Sequence, residues 1–212
     1  MKKKIMALCL VAILAITAIG GATLAYYTDT DDADNVFTVG NVDIKLTEPN
    51  WVDEDPDDQI DGQADVYPGE ALAKDPTVTN IGKNPCFVRV KVENLDQFDT
   101  KGAITLRWID EQGVYHNDYN TRDWTKIGEY YYYNKVVTYT GDDYNTELTT
   151  VTTPVFSQIV MPTGLTGNEA AEPITVTAEA VQAQGAQPSW SAVKAMKPAD
   201  IAAWFDTVNA AA

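Results

Sequence analysis

The sequence is poor in the residues that build most catalytic centres. Its 212 residues include one histidine, His116, and two cysteines, Cys9 and Cys86. A zinc helix of the His-Glu-x-x-His type needs two histidines, and no Gly-x-Ser-x-Gly elbow is present for a serine nucleophile. Cys86 and His116 could form a nucleophile–base pair, but a thiol on the core face of a strand is inert. We therefore predict no catalytic residues and no enzymatic activity.

Basic residues are also scarce. Fifteen Lys and Arg stand against 31 Asp and Glu, which gives a formal charge of −16 at neutral pH. Nucleic-acid phosphates repel such a chain, so nucleic-acid binding is excluded. The content of 45% hydrophobic and 10% aromatic residues is nevertheless sufficient for a folded core. Length and composition together predict one domain with appendages.

The amino terminus has the features of an export signal, which we assign to residues 1–25. Three lysines precede an apolar run over residues 5–19, shorter than the roughly 20 residues of a spanning helix. Thr23 and Ala25 supply the small residues that a signal peptidase recognises, which predicts cleavage between Ala25 and Tyr26. An uncleaved membrane anchor is the alternative. Cleavage predicts a secreted chain of charge −19 that has no stable membrane insertion.

After residue 40 the pattern is that of short strands separated by turn residues. In the clearest strand, residues 86–93, Cys86 and the alternating valines are expected to face the core. Arg89, Lys91 and Glu93 are expected to face water, and Cys86 to be a buried, unreactive thiol. Other strands are predicted at residues 36–39, 42–46, 103–109, 130–139, 154–161 and 174–182. This pattern predicts an all-β fold, an antiparallel jelly-roll-like β-sandwich, with an immunoglobulin-like sandwich as the alternative.

The end of the chain has a helical pattern instead. Residues 198–208 begin with a proline and place four large apolar side chains on one helical face. This helix is expected either to cover one end of the sandwich or to dock a partner. The resulting organisation is a signal peptide over 1–25, an arm or first strand over 26–40, a β-sandwich over 41–184 and a short helical extension over 185–212.

Acidic residues are concentrated near the amino terminus. Thirteen acids lie between Asp29 and Asp65. Four of them have the spacing of ligands in a calcium loop: Asp53, Asp55, Asp57 and Asp61. Two residues that a calcium loop needs are missing. Asp58 replaces the glycine of the sharp turn, and Ala64 replaces the bidentate glutamate. A solvated acidic surface is the main interpretation, calcium binding is the alternative, and no other cofactor or metal is predicted.

Several segments resemble those of a known protein family. They cover residues 20–30, 37–42, 67–70, 80–82, 84–92, 131–135 and 174–183. These segments are similar to the TasA/camelysin family. The resemblance implies a jelly-roll subunit exported by a monoderm bacterium after cleavage by a SipW-type signal peptidase, located at the cell surface or in the extracellular matrix, and polymerised into biofilm fibres in TasA-like members. Camelysin-like members are classed as metallopeptidases, but one histidine without a zinc motif does not support that activity here.

The predicted arm suggests how such a subunit assembles. A sandwich has edge strands whose unpaired backbone groups can accept a strand from another chain. The proposed donor residues are Tyr27, Val36, Phe37 and Val39. Because the contact runs from head to tail and does not close, it predicts a homopolymer.

Two other functions remain open from the sequence alone. A monomeric cell-surface adhesion or binding module would use exposed aromatic side chains, with Trp51, Trp108 and Trp124 as candidates. These tryptophans could equally belong to the core. A secreted hydrolase of the camelysin type is the least favoured function, because it would depend on His116 alone.

Overall fold

The structure is a computed structural model that describes residues 41–51, 66–143, 145–166, 169 and 171–210. Every described residue belongs to the unit Gly40–Ala212. Several predicted positions lie outside the described residues: Ala25 and Tyr26 of the cleavage site, Tyr27, Val36, Phe37 and Val39 of the arm, and the calcium candidates Asp53, Asp55, Asp57 and Asp61.

The described residues form ten strands, a short 3₁₀ helix and two α-helices. The strands are β1 (Ile44–Thr47), β2 (Ala71–Ala73), β3 (Thr77–Asn80), β4 (Cys86–Val92), β5 (Thr105–Ile109), β6 (Tyr115–Asn117), β7 (Trp124–Ile127), β8 (Tyr130–Tyr133), β9 (Gln158–Val160) and β10 (Val176–Gln182). The helices are the 3₁₀ turn Asp99–Lys101, α1 (Trp190–Lys194) and α2 (Pro198–Ala210). None of the described helices is long and apolar enough to cross a membrane.

All strand pairs are antiparallel and fall into three sheets. One four-stranded sheet has the order β10-β4-β8-β7, the other has the order β2-β9-β5-β6, and β1 pairs with β3. A single cluster of buried side chains joins the three sheets, and it includes Val78, Val90, Leu106, Trp124 and Ile159. This arrangement confirms the all-β, antiparallel fold with a short carboxy-terminal helix; the jelly-roll connectivity remains a prediction.

Strand β4 is confirmed over almost its whole predicted length, but one of its two faces differs from the prediction. Cys86, Val88 and Val90 are fully buried, as expected. Arg89 was expected to face water and is only 6% exposed, so that prediction is wrong. The reason is α2, which packs on the outer face of this sheet rather than on an end of the sandwich. Its buried residues Ile201 and Phe205 form a second core with other side chains of that face, among them Phe87, Tyr132 and Val181.

Short elements account for most of the remaining differences. The predicted strand over 130–139 ends at Tyr133, and Val137 makes an isolated bridge with Cys86. Strands β2, β3, β6 and β7 and helix α1 were not predicted. A strand of three or four residues contains one or two alternations, which is too few to be distinguished from a loop in the sequence.

Candidate strand-pairing edge

Strand β10 is an edge strand seven residues long, and it pairs only with β4 among the described strands. Glu93 donates its backbone N–H to Thr175 O, and Ala183 donates to Pro85 O. In an antiparallel ladder, hydrogen-bonded pairs recur at every second residue. The odd-numbered residues of β10 therefore point their backbone groups at β4. Val176, Ala178 and Ala180 point theirs at the open side.

Strand β1 lies beside this open edge without pairing with it. Asp43 O accepts from the N–H groups of Ile81 and Gly82, and Lys83 donates its N–H to Asn41 O. The odd-numbered residues of this segment therefore point their backbone groups at the β3 side. Gly82 permits the close approach, because a Cβ there would lie 2.6 Å from Asn41 O. By the same alternation, the even-numbered residues of β1 point their backbone groups toward β10. Within the described part of the chain, none of these groups has a backbone partner.

Among the described residues, a seam therefore separates β1 from β10, and the backbone groups that face it have no backbone partner. Near Ile44 and Ala180 it opens into a cavity of about 380 Å³. The wall at this end is part of α2, with Phe205 and Asn209 lining the cavity. The indole Nε1 of Trp204 donates to Gln182 O at 2.8 Å, which occupies the last outward carbonyl of β10. Cα atoms of β1 lie within 8 Å of β10, whereas a strand between them would need roughly 10 Å. A further strand could therefore pair with the outward groups of β10 only by displacing β1.

Buried Arg89 connects β10 to α2. Its Nε and Nη2 donate to Glu179 Oε2 at 2.8 and 2.5 Å, directly across the β4–β10 pair. The guanidinium lies between two aromatic rings, with centroids 3.9 Å away at Tyr130 and 4.6 Å away at Phe205. Burial lowers the pKa of Arg89, but hydrogen bonds with Tyr132 and Glu179 outweigh it, so the pKa is raised. The charge is therefore kept, and it stabilises β10 and α2 in one arrangement.

The sequence did not lead us to predict the cluster around Arg89, although one residue of β4 indicated it. Phe87 alternates with Arg89 on the face of β4 that was predicted to be solvated. A large apolar side chain on a supposed water face indicates that something covers it, and the amphipathic helix of residues 198–208 was the available cover.

The residues considered for catalysis are not brought together. Cys86 lies on β4 and His116 lies on β6, in different sheets. His116 Nε2 is 2.8 Å from Asp110 Oδ2, and its ring stacks on Trp108 with centroids 4.5 Å apart. Hydrogen bonds from His116 and from the Val114 N–H lower the pKa of Asp110. Nowhere in the described residues do three or more His, Cys, Asp or Glu side chains form a group able to hold a metal ion.

The tryptophans considered for adhesion are mostly internal. Trp124 is 1% exposed and Trp108 is 9% exposed. Trp51 is half-buried, and the ammonium of Lys74 lies 4.8 Å from its ring centroid. Two of the three candidates therefore have little surface to offer a ligand.

Cys86 should resist modification in the folded protein. It is fully buried, and burial raises the pKa of its thiol to about 12, so almost no thiolate exists at neutral pH. We expect a thiol reagent to label the processed chain only after denaturant is added, measured by mass spectrometry. Thr105→Cys places a second thiol at an exposed position of β5, and it should react at once. Equal labelling rates for the two thiols in native protein would contradict the burial of Cys86.

The fold defines a class of protein: an antiparallel, mostly β protein with a short carboxy-terminal helix and, among its described strands, a long edge strand, β10. Residues 1–94 match the family described as camelysin metallo-endopeptidase, and this match ends just after β4. Over these residues the chain is similar to this family, so the predicted resemblance to the TasA/camelysin family is confirmed there. Neither the curated proteins nor the solved structures contain a match to the chain.

Proposed function

We propose that the chain is a secreted structural subunit of extracellular matrix fibres or cell-surface filaments. Its amino-terminal arm, residues 26–39, is donated to the β10 edge of the next copy, in place of β1, after a SipW-type signal peptidase has removed residues 1–25. The observation that carries the proposal is this edge, where the outward backbone groups of Val176, Ala178 and Ala180 have no backbone partner among the described residues. The family match over residues 1–94 supports a secreted protein of the TasA/camelysin type.

Backbone pairing is well suited to this role. A donated strand would satisfy the outward hydrogen-bonding groups of β10, and the side-chain alternation would set its register. Arm and seam belong to the same chain, so one copy can donate at one end and accept at the other. A contact of this heterologous type propagates into a filament when it does not close into a ring.

Deletion of residues 26–39 from the processed chain should abolish filaments. Every side chain of the two described core clusters lies after residue 41, so the deleted protein should still fold. Negative-stain microscopy and light scattering would measure polymer, and circular dichroism would confirm the β fold. Asp32→Asn is the matched control, because it changes the arm but keeps the strand-forming residues 36–39. Filaments of unchanged abundance from the deleted protein would overturn strand donation.

Proteolysis is the second function to be tested, since the matching family is described as a metallo-endopeptidase. The described residues do not provide a ligand set that fits a metal ion. If the chain were a peptidase that uses its only histidine, His116→Ala should remove cleavage of a casein substrate. We expect neither the processed chain nor this variant to cleave casein.

A further inference from the structure

A polar cleft of about 320 Å³ lies where the β4–β10 pair ends. Pro85, which precedes β4, and Gln184, which follows β10, both line it, and Tyr139 and Trp190 contribute aromatic rings. Its volume falls within the range of roughly 300–1,000 Å³ that is typical of ligand sites. Most such sites are lined by apolar side chains, whereas polar side chains predominate here. The cleft therefore suits a ligand that is itself rich in polar groups.

Two buried polar side chains belong to the lining of this cleft. Asp142 is 7% exposed and Asn145 is 9% exposed. Asp142 Oδ2 accepts from Thr138 Oγ1 and, at 2.7 Å, from Asn145 Nδ2. An amide nitrogen carries two N–H groups, and the hydrogen bonds among the described residues use one of those of Asn145. Both side chains are thus held in one orientation, with a donor left for a ligand.

The indole ring of Trp190 is fixed by the same network. Its Nε1 donates to Asn145 Oδ1 at 2.5 Å. Ser189 Oγ accepts from the Ala192 N–H at 3.3 Å, which caps α1 so that the helix begins at Trp190. Val193 of α1 is 2% exposed and belongs to the second core. Because Trp190 is only half-buried, part of its ring surface stays open to the cleft.

Three other lining side chains keep their polar groups available. The hydroxyl of Tyr139, the amide of Gln184 and the ammonium of Lys83 have no hydrogen-bond partner within the described part of the chain. A phenol and an amide can each donate and accept. Sugar hydroxyl groups also do both, so they match this combination of side chains around an aromatic ring.

We propose that the cleft binds the sugar units of an uncharged polysaccharide. A sugar ring has a face of C–H groups, which packs on the ring of Trp190. Its hydroxyl groups lie around the edge, where they can bond to the amides of Asn145 and Gln184 and to the hydroxyl of Tyr139. The Asp142 carboxylate is the charged acceptor of the site, and hydrogen bonds to a charged group are the stronger ones.

The chemistry of the cleft argues against two other ligands. The Asp142 carboxylate and the formal charge of −16 repel an anionic sugar. Pro85 has no N–H, so this part of the lining cannot pair with an extended peptide. The lining residues Tyr139, Asp142, Asn145, Gln184 and Trp190 all follow residue 94, where the family match ends. The proposed site is therefore separate from that similarity, and it does not depend on strand donation.

Isothermal titration calorimetry of the processed, full-length chain tests the site. The probes are four hexasaccharides, made of glucose, mannose, galactose or N-acetylglucosamine units, and we expect at least one of them to bind. Gln184→Ala should weaken that binding by about threefold or more, the effect of one lost hydrogen bond. Gln187→Ala is the matched control, because Gln187 is also exposed but does not line the cleft, and it should bind like the wild type.

Trp190→Ala should weaken the same binding by about tenfold, because the stacking surface is lost. Trp204→Ala is its control, since Trp204 is another half-buried tryptophan of the second core that does not line the cleft. Its affinity for the sugar should stay unchanged. Circular dichroism shows whether each variant is folded, and if Trp190→Ala is not, the comparison of Gln184→Ala with Gln187→Ala decides.

Binding of none of the four hexasaccharides would overturn the proposal. So would equal affinities of the wild type and Gln184→Ala, since the sugar would then bind elsewhere. Tighter binding of a polygalacturonate hexamer than of any neutral hexasaccharide would overturn the uncharged class of ligand. Filaments without sugar binding would leave strand donation standing and remove the sugar site. Sugar binding that depends on Gln184, by a chain that forms no filaments, would support the site and remove the fibre.

Discussion

Phe205→Ala should lower the free energy of unfolding by about 3–5 kcal/mol, the range for a large aromatic side chain removed from a core. Phe205 of α2 is completely buried and contacts Tyr132 edge to face, with ring centroids 5.7 Å apart. It is also one of the two rings over the Arg89 guanidinium. Alanine would leave a cavity beneath α2 and expose a buried cation. Urea denaturation followed by tryptophan fluorescence measures the loss.

Asp206→Ala is the control for this substitution. Asp206 is the next residue of α2 and is exposed, so its removal should change the free energy of unfolding by less than about 0.5 kcal/mol. A similarly small effect for Phe205→Ala would mean that α2 does not pack on the sheet. Arg89 would then be open to solvent, as the sequence pattern alone predicted.

Asp123→Ala should lower the free energy of unfolding by about 1.5–3 kcal/mol at neutral pH, the range for hydrogen bonds to a charged group. The Asp123 side chain is 4% exposed and accepts from Lys135 Nζ at 2.8 Å and from Thr153 Oγ1 at 3.1 Å. Lys135 is itself 58% exposed, so the substitution does not leave an unpaired cation in the core. The loss of stability therefore comes from the lost hydrogen bonds. Asp96→Ala removes an exposed carboxyl and should change stability little.

The Asp123 contribution should also depend on pH with a definite sign. Burial raises the pKa of Asp123, but the hydrogen bond and charge of Lys135 outweigh it, so the folded-state pKa is lowered. A carboxyl of this kind adds stability above its unfolded pKa of about 3.9, and that stability is lost as the pH falls through the folded value. Wild type and Asp123→Ala should therefore converge in urea unfolding as the pH is lowered from 7 to about 2. A stability difference that stays constant over this range would contradict the ion pair.

The sequence was a good guide wherever structure follows from a local pattern. Val88 and Val90 alternate with polar residues over a long strand, and the core face of β4 was predicted correctly. Arg89 was placed wrongly, because its surroundings depend on α2, more than a hundred residues later in the chain. Helix α2 itself was predicted from its apolar face, but the surface that it covers was not.

The candidate edge was only partly predictable for a related reason. A strand at 174–182 was expected, and β10 occupies Val176–Gln182. Whether a strand lies at the edge of a sheet depends on which strands lie beside it, and its own residues do not report that. The register that points Ala178 and Ala180 at the open side became visible only from the β4–β10 hydrogen bonds.

The hydrogen bond from Trp204 to Gln182 O has a mechanical consequence. An added strand that slipped by two residues would move about 7 Å along β10, since side chains keep their faces only in steps of two. The indole blocks that slip at the α2 end of the strand by occupying the carbonyl that the displaced strand would need. In the proposed polymer, a donated strand could then slip only away from α2, so Trp204 would act as a stop at one end of each junction.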